Sequence, residues 1–497
     1  MADFATVSAG VVQQPADQRE QVRAAVIAGP AGLGVLDEQV TGRLWPVLSG
    51  PELIARAQAQ AGHVDGRRRV LTGAVTAMIV LGLCLFRRES VAVVTARVTE
   101  PIPRVRVEGT PSGSAVSKAR ARVPTAVWEH LFIAAAADMP PAGAESYAFG
   151  LLVTAIDGTV FDLADTAQIR ERFTTPSKGR FPQARMVALV TCGNRWILAA
   201  RIASSGTSEQ VLADCLISEL RPDTINLADR GFFSMDRWIR AAATGAHLLW
   251  RVKNGARSLP ARLNQTLPDA SAWVMLHESD QMLARRRKTC DDKSLTRLQP
   301  VLARLVEFTV TSRDRSGRPV KTSRYRVLTT LLDHRRYPAE QIAALYAERW
   351  QIELTYARLK TTLREPGTRL RGQSPELAYQ ELWALLTVYN ALVHLAVSTA
   401  IDLNVDPDAI SFTAVLALTR NLLATDRGPC INCGHHDADP IAALTVAIAA
   451  QPLNRHGRQR NGPRTPAQRE TERTRDVTYE ITITPPKLPK TTKPAKV

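Results

Sequence analysis

The stretch Leu151-Leu-Val-Thr-Ala-Ile-Asp-Gly158 decides how the middle of the chain is interpreted, because an apolar, β-branched run ends abruptly in a carboxylate and a glycine. An apolar run of this length that turn residues bound is typical of a buried strand. Similar runs follow downstream, with helical patterns between the later ones. The predicted strands are 149–156, 185–191, 196–201, 224–228 and 247–252, and the predicted helices are 205–220 and 234–243. Alternating elements of this kind predict an α/β fold.

Three strands followed by helix, strand, helix and strand is the order of a ribonuclease H-like core. Within it, Asp229 ends the fourth predicted strand as Asp157 ends the first. Strand ends of one sheet bring such side chains within a few ångströms, where two carboxylates repel each other unless a cation lies between them. Hard oxygen ligands favour Mg²⁺ or Mn²⁺ over zinc. Either Asp alone also suits a turn or a helix cap, but the pair predicts a divalent metal site.

A third element, Tyr346-Ala-Glu-Arg-Trp-Gln-Ile-Glu-Leu-Thr-Tyr-Ala-Arg-Leu-Lys360, is predicted as one helix. At about 100° per residue its polar side chains share one sector roughly 60° wide, beside an apolar stripe. The polar residues are Tyr346, Arg349, Glu353 and Lys360. An ordered polar stripe beside a buried one suits the wall of a cleft. The alternative is an exposed ion pair between Arg349 and Glu353.

These elements together resemble the signature of insertion-sequence-four-type DDE transposases: Asp-Gly, Asp-Arg-Gly-Phe, and Tyr-x2-Arg-x3-Glu-x6-Lys. Each element is present without a gap, and the run 370–383 also resembles the segment that follows the catalytic Glu in these proteins. The resemblance extends from the helical N-terminal region to about residue 425. It implies cut-and-paste DNA transposition by a ribonuclease H-like domain, with a β-rich insertion between the second Asp and the Glu.

The resemblance also assigns roles to residues. It implies that Asp157, Asp229 and Glu353 are catalytic and hold two Mg²⁺ or Mn²⁺ ions for in-line phosphoryl transfer by water or a 3′-hydroxyl. Arg349 and Lys360 are then expected to grip phosphates at the transposon end.

The same resemblance implies two aromatic contacts. Tyr346 is expected to contact phosphate near the cleaved bond. Relatives that form a hairpin intermediate stack a flipped base on a Trp of the strand before the Glu helix. Tyr325 holds the matching place here, which leaves the hairpin step open, with Trp250 as an alternative stacking residue or a core residue.

The charge of the chain points to a polyanion as partner. Its 497 residues carry 64 Lys and Arg against 47 Asp and Glu, a net charge of +17, which favours nucleic acid before an anionic membrane. Residues 64–122 and 453–497 each contribute +7, from 11 basic and four acidic residues in each stretch. The stretch 112–122 suits a capped helix that presents Ser117, Lys118 and Arg122 to a DNA groove, or a solvated basic helix face.

The predicted layout has seven parts. These are a loosely ordered leader (1–30), a helical N-terminal DNA-binding domain (31–140), the first part of the core (141–256), a β-rich insertion (257–335), the core helix with the catalytic Glu (336–365), a helical C-terminal region (366–450) and a basic disordered tail (451–497). Removal of the tail from Leu453 is expected to weaken DNA binding and to spare cleavage.

Six scattered cysteines do not form a disulfide framework and indicate a reducing cytoplasm. The N-terminus lacks the features of a signal peptide, and 70–86 is expected to be a buried helix rather than a membrane span. Cys430, Cys433 and His435 have spacing that suits zinc, but a fourth ligand is not evident, so a reduced loop stays the alternative.

The combined prediction is a bacterial, nucleoid-associated transposase that acts on double-stranded DNA. Its partners are the terminal inverted repeats of its own element and target DNA, with a homodimer or larger assembly joining two ends. Two alternatives stay open: a metal-dependent nuclease that cleaves without strand transfer, and a DNA-binding regulator that has lost catalysis.

Overall fold

The computed structural model describes residues 51–65, 70–99, 105, 109–177, 179–255, 259–314, 316–365, 367–425, 440–454 and 478–488. The predicted leader and the Cys430, Cys433 and His435 cluster lie outside these ranges.

The described helices begin with five in the N-terminal region. These are α1 (Pro51–Gln60), α2 (Gly73–Leu85), α3 (Val91–Thr99), α4 (Gly113–Arg122) and α5 (Thr125–Ala137). Further along lie α6 (Ala167–Arg172), α7 (Glu209–Asp214), α8 (Met235–Ala243), α9 (Asp280–Thr289), α10 (Ala339–Ala347), α11 (Trp350–Ala357), α12 (Pro375–Asp402), α13 (Phe412–Thr425) and α14 (Pro440–Ala449). A π-helical segment, Arg358–Leu363, continues α11 directly.

The strands form one large mixed sheet. They are β1 (Tyr147–Ala148), β2 (Leu151–Asp162), β3 (Gln183–Thr191), β4 (Ile197–Ser204), β5 (Thr224–Ala228), β6 (His247–Arg251), β7 (Ala261–Thr266), β8 (Ala272–Leu276), β9 (Val301–Arg313), β10 (Pro319–Thr329) and β11 (Thr478–Thr484). The order is β4-β3-β2-β5-β6-β10-β9-β8-β7, with β1 on β2 and β11 on β9. The predicted α/β class and the predicted succession of strands and helices are therefore observed.

The centre of the sheet is apolar because helices cover both of its faces. All five residues of β5 are buried. Its parallel neighbours β2 and β6 carry the same pattern, and their alternate side chains enter two separate cores. Trp250 belongs to one of these cores, where its indole donates to Asn226 at 3.0 Å and packs edge-on against Trp238. It is a core residue rather than an exposed stacking surface.

The long helix α12 runs through the helical part of the molecule and packs against α2 and α5. It is long and apolar enough to cross a membrane, but 78% of its most apolar window is buried inside the protein. The helix α2 is buried along nearly its whole length, as expected for 70–86. A buried ion pair between Arg87 and Glu381 joins the N-terminal helices to α12.

Two predictions of secondary structure are wrong. The single helix expected over 346–360 is divided, because an i→i+3 turn at Glu348 and Arg349 separates α10 from α11 and π-helical geometry follows at Arg358. The tail is not structureless throughout, because β11 pairs with β9 over seven residues. The sequence of β11 alternates apolar and polar residues, so Tyr479, Ile481 and Ile483 pack on the core.

Candidate active site

The parallel pair of β2 and β5 places Asp157 and Asp229 in neighbouring positions. Their pairing extends to Ile156 opposite Ala228, so the two acids follow in the same register. Asp229 leaves the end of β5 as predicted. The prediction that Asp157 ends its strand is wrong, because residues 157–162 stay in β2 through antiparallel pairing with β3. Asp157 instead marks the point where the pairing of β2 with β5 stops.

Arg349 joins Asp157 to the third acid. One guanidinium nitrogen lies 3.1 Å from Asp157 Oδ2, and another lies 3.0 Å from Glu353 Oε1. The predicted i,i+4 pair of Arg349 and Glu353 is therefore present, but it is partly buried and reaches the sheet instead of facing solvent. A second arginine, Arg251, contacts Asp229 at 3.3 Å.

The carboxyl group of Asp157 feels both burial and like charge. Burial, with smaller contributions from Glu353 and Asp229, raises the pKa of Asp157 to about 6, against the opposing effects of Arg349 and the Gly158 amide. Burial alone would lower the pKa of Arg349, but the nearby Tyr346, Asp157, Asp229 and Glu353 raise it well above its ordinary value. The three acids therefore share one electrostatic environment with Arg349 at its centre.

This donor set fits a hard divalent cation in its chemistry, since the three groups are carboxylates, and burial together with the nearby Glu353 and Asp229 makes the charged form of Asp157 unfavourable without a cation. In the described part of the chain, no group of three or more His, Cys, Asp or Glu side chains is already arranged as a metal site. Arginines occupy these carboxylates instead, since Arg349 contacts Asp157 and Glu353 and Arg251 contacts Asp229.

The helix α11 and the π segment are fastened to β2 beside these acids. The Tyr356 hydroxyl donates to the backbone oxygen of Asp157 at 2.6 Å. The Lys360 ammonium donates to Thr159 Oγ1 at 3.3 Å and lies over the ring of Phe161. The π geometry brings Lys360 to the strand two residues beyond Asp157.

Tyr325 and Tyr346 line a small open cleft of about 50 Å³ next to the acids, together with Arg251, Arg349 and Trp350. Tyr346 is buried, and its hydroxyl donates to the Ala228 carbonyl at 3.4 Å. It therefore faces inward rather than along the polar stripe predicted for it. The Tyr325 ring is stacked on Phe308 at 5.3 Å, and the Arg251 guanidinium lies 4.5 Å from its centre.

The predicted DNA-reading helix is present as α4, and Ser112 caps it by accepting a hydrogen bond from the Ala115 amide. Lys118 and Arg122 are both exposed on it. Arg122 donates to the Leu71 carbonyl at 3.2 Å. No contact among the described residues joins Lys118 or Arg122 to the three acids, so they form a separate surface.

Sequence reasoning missed Arg251, Tyr356 and Ile481 as residues of the site. Arg251 had a signal, because it ends an apolar strand with a charged residue, as Asp229 does. Its position follows from the pairing of Ala228 with Trp250 in neighbouring strands. Ile481 reaches the cleft because it belongs to β11, a strand that was not expected because the basic composition of the tail predicted disorder.

Two regions of this chain match models of known protein families. The family model described as transposase DDE domain matches residues 148–391, and that described as insertion element 4 transposase N-terminal matches 42–133. The Escherichia coli K12 transposase InsG for insertion sequence element IS4 is 29% identical over 385 residues, covering 76% of this chain and 82% of the relative. The putative transposase InsZ of the same organism is 30% identical over 208 residues, covering 40% of this chain and 67% of the relative.

A solved piggyBac transposase synaptic complex with hairpin DNA aligns with 84% of this chain and 80% of that chain, at 8% identity and a TM-score of 0.39. The family models and the curated relatives are consistent with one another over the catalytic and N-terminal regions. This chain belongs to the DDE transposases of the insertion element 4 type, enzymes that cut and transfer DNA.

Proposed function

We propose that the chain catalyses cut-and-paste transposition of an insertion sequence, with Asp157, Asp229 and Glu353 as its catalytic acids on a ribonuclease H-like core. The observation that carries this proposal is the joint contact of Asp157 and Glu353 with Arg349, while Asp229 follows the neighbouring strand in register with Asp157 and acts on Arg349 electrostatically. Side chains from separate elements have no structural need to bring three carboxylates together in a partly buried site.

The three acids would hold two Mg²⁺ or Mn²⁺ ions, which would activate water or a 3′-hydroxyl and stabilise the leaving 3′-oxygen. The chain itself supplies position and charge. The hydroxyl of Tyr356 fixes the backbone at Asp157. Arg349 keeps Asp157 and Glu353 together, and its guanidinium is well placed to exchange a carboxylate for a DNA phosphate.

Arg349, Lys360 and Tyr346 are proposed to contact phosphates at the transposon end. Lys360 lies beside β2, near the residue two positions after Asp157, and its ammonium contacts the neutral hydroxyl of Thr159 and the ring of Phe161. The Tyr346 hydroxyl donates to the carbonyl of Ala228, so it must leave this hydrogen bond in order to contact a phosphate in the cleft.

Tyr325 is proposed as a wall for an extruded base. Its cleft is lined by aromatic and cationic side chains, a combination on which bases stack. Phe308 and Arg251 already cover part of the ring, so Arg251 is expected to move when a base enters.

The proposed partners are double-stranded DNA with terminal inverted repeats, and target DNA. Two ends must be joined, which requires a homodimer or larger assembly, and Lys118 and Arg122 on α4 are proposed to bind DNA outside the catalytic cleft. The proposed location is the cytoplasm, on the nucleoid.

The test uses a duplex with the terminal inverted repeats that flank the gene, a target plasmid and Mg²⁺. Asp157→Asn and Glu353→Gln are expected to abolish strand cleavage and to leave binding of the duplex largely intact. The matched control is Glu340→Gln, an exposed acid on the preceding helix α10, which is expected to cleave normally.

Joined plasmid products distinguish the alternatives. Cleavage without joined products would identify a nuclease, and binding without cleavage by the wild-type chain would identify a regulator. Loss of duplex binding with retained nicking in the two acid variants would refute the assigned roles.

A further inference from the structure

One partly buried aromatic ring outside the catalytic cleft lies against two arginines. The guanidinium carbon of Arg369 lies 3.8 Å from the centre of the Phe181 ring, and that of Arg180 lies 5.2 Å from it. Both arginines are exposed, and Phe181 is partly buried. Because Arg369 precedes α12 and Arg180 precedes β3, two separate segments of the chain meet on this ring.

Neither guanidinium forms a hydrogen bond or an ion pair with another described residue. Both arginines act electrostatically on the Asp165 carboxylate, and this carboxylate is held by Arg170 at 2.6 Å. The ring fixes the orientation of both planar groups, so their N–H donors remain available in a defined geometry. Two like charges held on one surface, with no carboxylate of the described residues in contact with either of them, favour an external anion.

The location of this cluster connects it to the candidate active site. Gln183, two residues after Phe181, pairs with Asp162 at the end of β2. Asp162 is five residues along the strand from Asp157, which corresponds to roughly 17 Å. Lys360 and Arg364 lie along this path, and Arg364 is close enough that, with burial, it lowers the pKa of Lys360.

We propose that Arg180, Phe181 and Arg369 form a phosphate-binding site that grips the backbone of the transposon-end duplex about five base pairs from the cleaved bond. The planar, bidentate donors of arginine suit phosphate oxygens. The line of cations from Lys360 through Arg364 to this ring favours a repeating polyanion over an isolated acidic side chain of a protein. This inference rests on the proposed function and extends it by a second contact with the same DNA.

The test compares variants for binding to a fluorescent transposon-end duplex over a range of salt concentrations. Arg180→Gln with Arg369→Gln is expected to weaken binding about tenfold and to lower the slope of log affinity against log salt by about two. The control pair, Arg221→Gln with Arg335→Gln, removes the same charge from two exposed positions at the opposite ends of the strands, just before β5 and just after β10. It is expected to change binding much less.

A third variant separates this site from diffuse attraction. Phe181→Leu keeps both charges and removes the ring, so it is expected to weaken binding severalfold without a charge change. Affinity and salt slope of the double variant equal to those of the control pair would overturn the proposal. Cleavage of the duplex by the wild-type chain is measured in parallel, because its absence counts against the proposed function, whereas unchanged binding in the variants counts against this site alone.

Discussion

The carboxyl group of Asp157 has a raised pKa, which a bound cation would lower. Burial is the main reason that its pKa rises from 3.8 to about 6, with Glu353 and Asp229 acting in the same direction. A carboxyl group whose pKa is raised by folding stabilises the protein at low pH, and this contribution is lost as pH rises through the folded value. A divalent cation has the opposite effect, because it favours the ionised form.

This sign gives a prediction for Asp157→Asn. The shift represents roughly 3 kcal/mol, of which about half should be lost by the wild-type protein between about pH 5 and about pH 8 when a chelator removes divalent ions. The variant lacks the ionising group and should lose less stability over this interval. Urea unfolding at both pH values measures the difference.

The control for this comparison is Asp223→Asn, an exposed acid at the turn before β5. It should follow the wild-type profile. Added Mg²⁺ should restore wild-type stability at the higher pH and should leave Asp157→Asn little changed. Identical pH profiles of stability for the wild type and Asp157→Asn would show that folding does not raise the pKa of the Asp157 carboxyl.

At the scale of residues, the sequence identified candidates whose spacing repeats a known signature. The structure brings Asp157 and Glu353 into contact with Arg349 and sets Asp229 beside Asp157 on the neighbouring strand, while their catalytic roles stay a proposal. Arg251 was missed because its contact with Asp229 depends on the register of β5 against β6, which sequence spacing does not encode. Tyr346 was placed on the wrong side because its burial follows from a helix break.

At the scale of elements, α11 owes its position to a buried polar network. Arg195, in the turn between β3 and β4, donates to Gln351 Oε1 at 2.7 Å and is paired with Asp408. Its backbone oxygen accepts the Tyr389 hydroxyl of α12 at 3.1 Å. Burial, followed by the nearby Arg358, lowers the pKa of Arg195 to about 10 despite Asp408. The network connects the helix of Glu353 to the sheet and to the C-terminal helices.

Asp408→Asn is expected to lower the free energy of unfolding by about 3 kcal/mol, because it leaves the Arg195 charge buried without its partner. Cleavage of the transposon end should slow more than duplex binding weakens, since Gln351 positions α11 and Glu353 through Arg195. Chemical denaturation and single-turnover cleavage measure the two effects. Asp402→Asn, an exposed acid at the end of α12, should leave both close to wild type; equal effects of the two variants would remove Asp408 from this role.

Periodicity predicted that a helix carries Glu353 but not how that helix is divided. The i→i+3 turn at Glu348 and Arg349 turns Tyr346 inward, and the π segment sets Lys360 against Thr159. Both features depend on packing against β2 and β5. The sequence itself is equally compatible with one regular α-helix, so its periodicity does not reveal them. The course of β2 past Asp157 likewise depends on a partner strand, β3, that is distant in sequence.

At the scale of the whole molecule, the basic C-terminal segment contains a structural strand as well as charge. The strand β11 covers the edge of β9 from Glu307 to Arg313, and Glu480 forms an ion pair with Arg313 at 2.6 Å. Ile481 lines the same cleft as Tyr325 and Arg349. Removal of everything beyond Leu453 therefore takes away part of the cleft wall together with positive charge, so the expectation that cleavage is spared no longer follows.

Two shortened chains separate these contributions. A chain that ends at residue 488 keeps β11 and loses three lysines, so it should bind DNA with a smaller salt slope and cleave the transposon end as the full chain does. A chain that ends at residue 476 also loses β11, which exposes an unpaired strand edge beside the cleft. It should unfold more easily, tend to aggregate and cleave slowly even at saturating DNA. Unfolding curves measure the stability of the two shortened chains, and single-turnover assays measure their cleavage rates. Normal cleavage by the chain ending at residue 476 would show that β11 does not contribute to the active site.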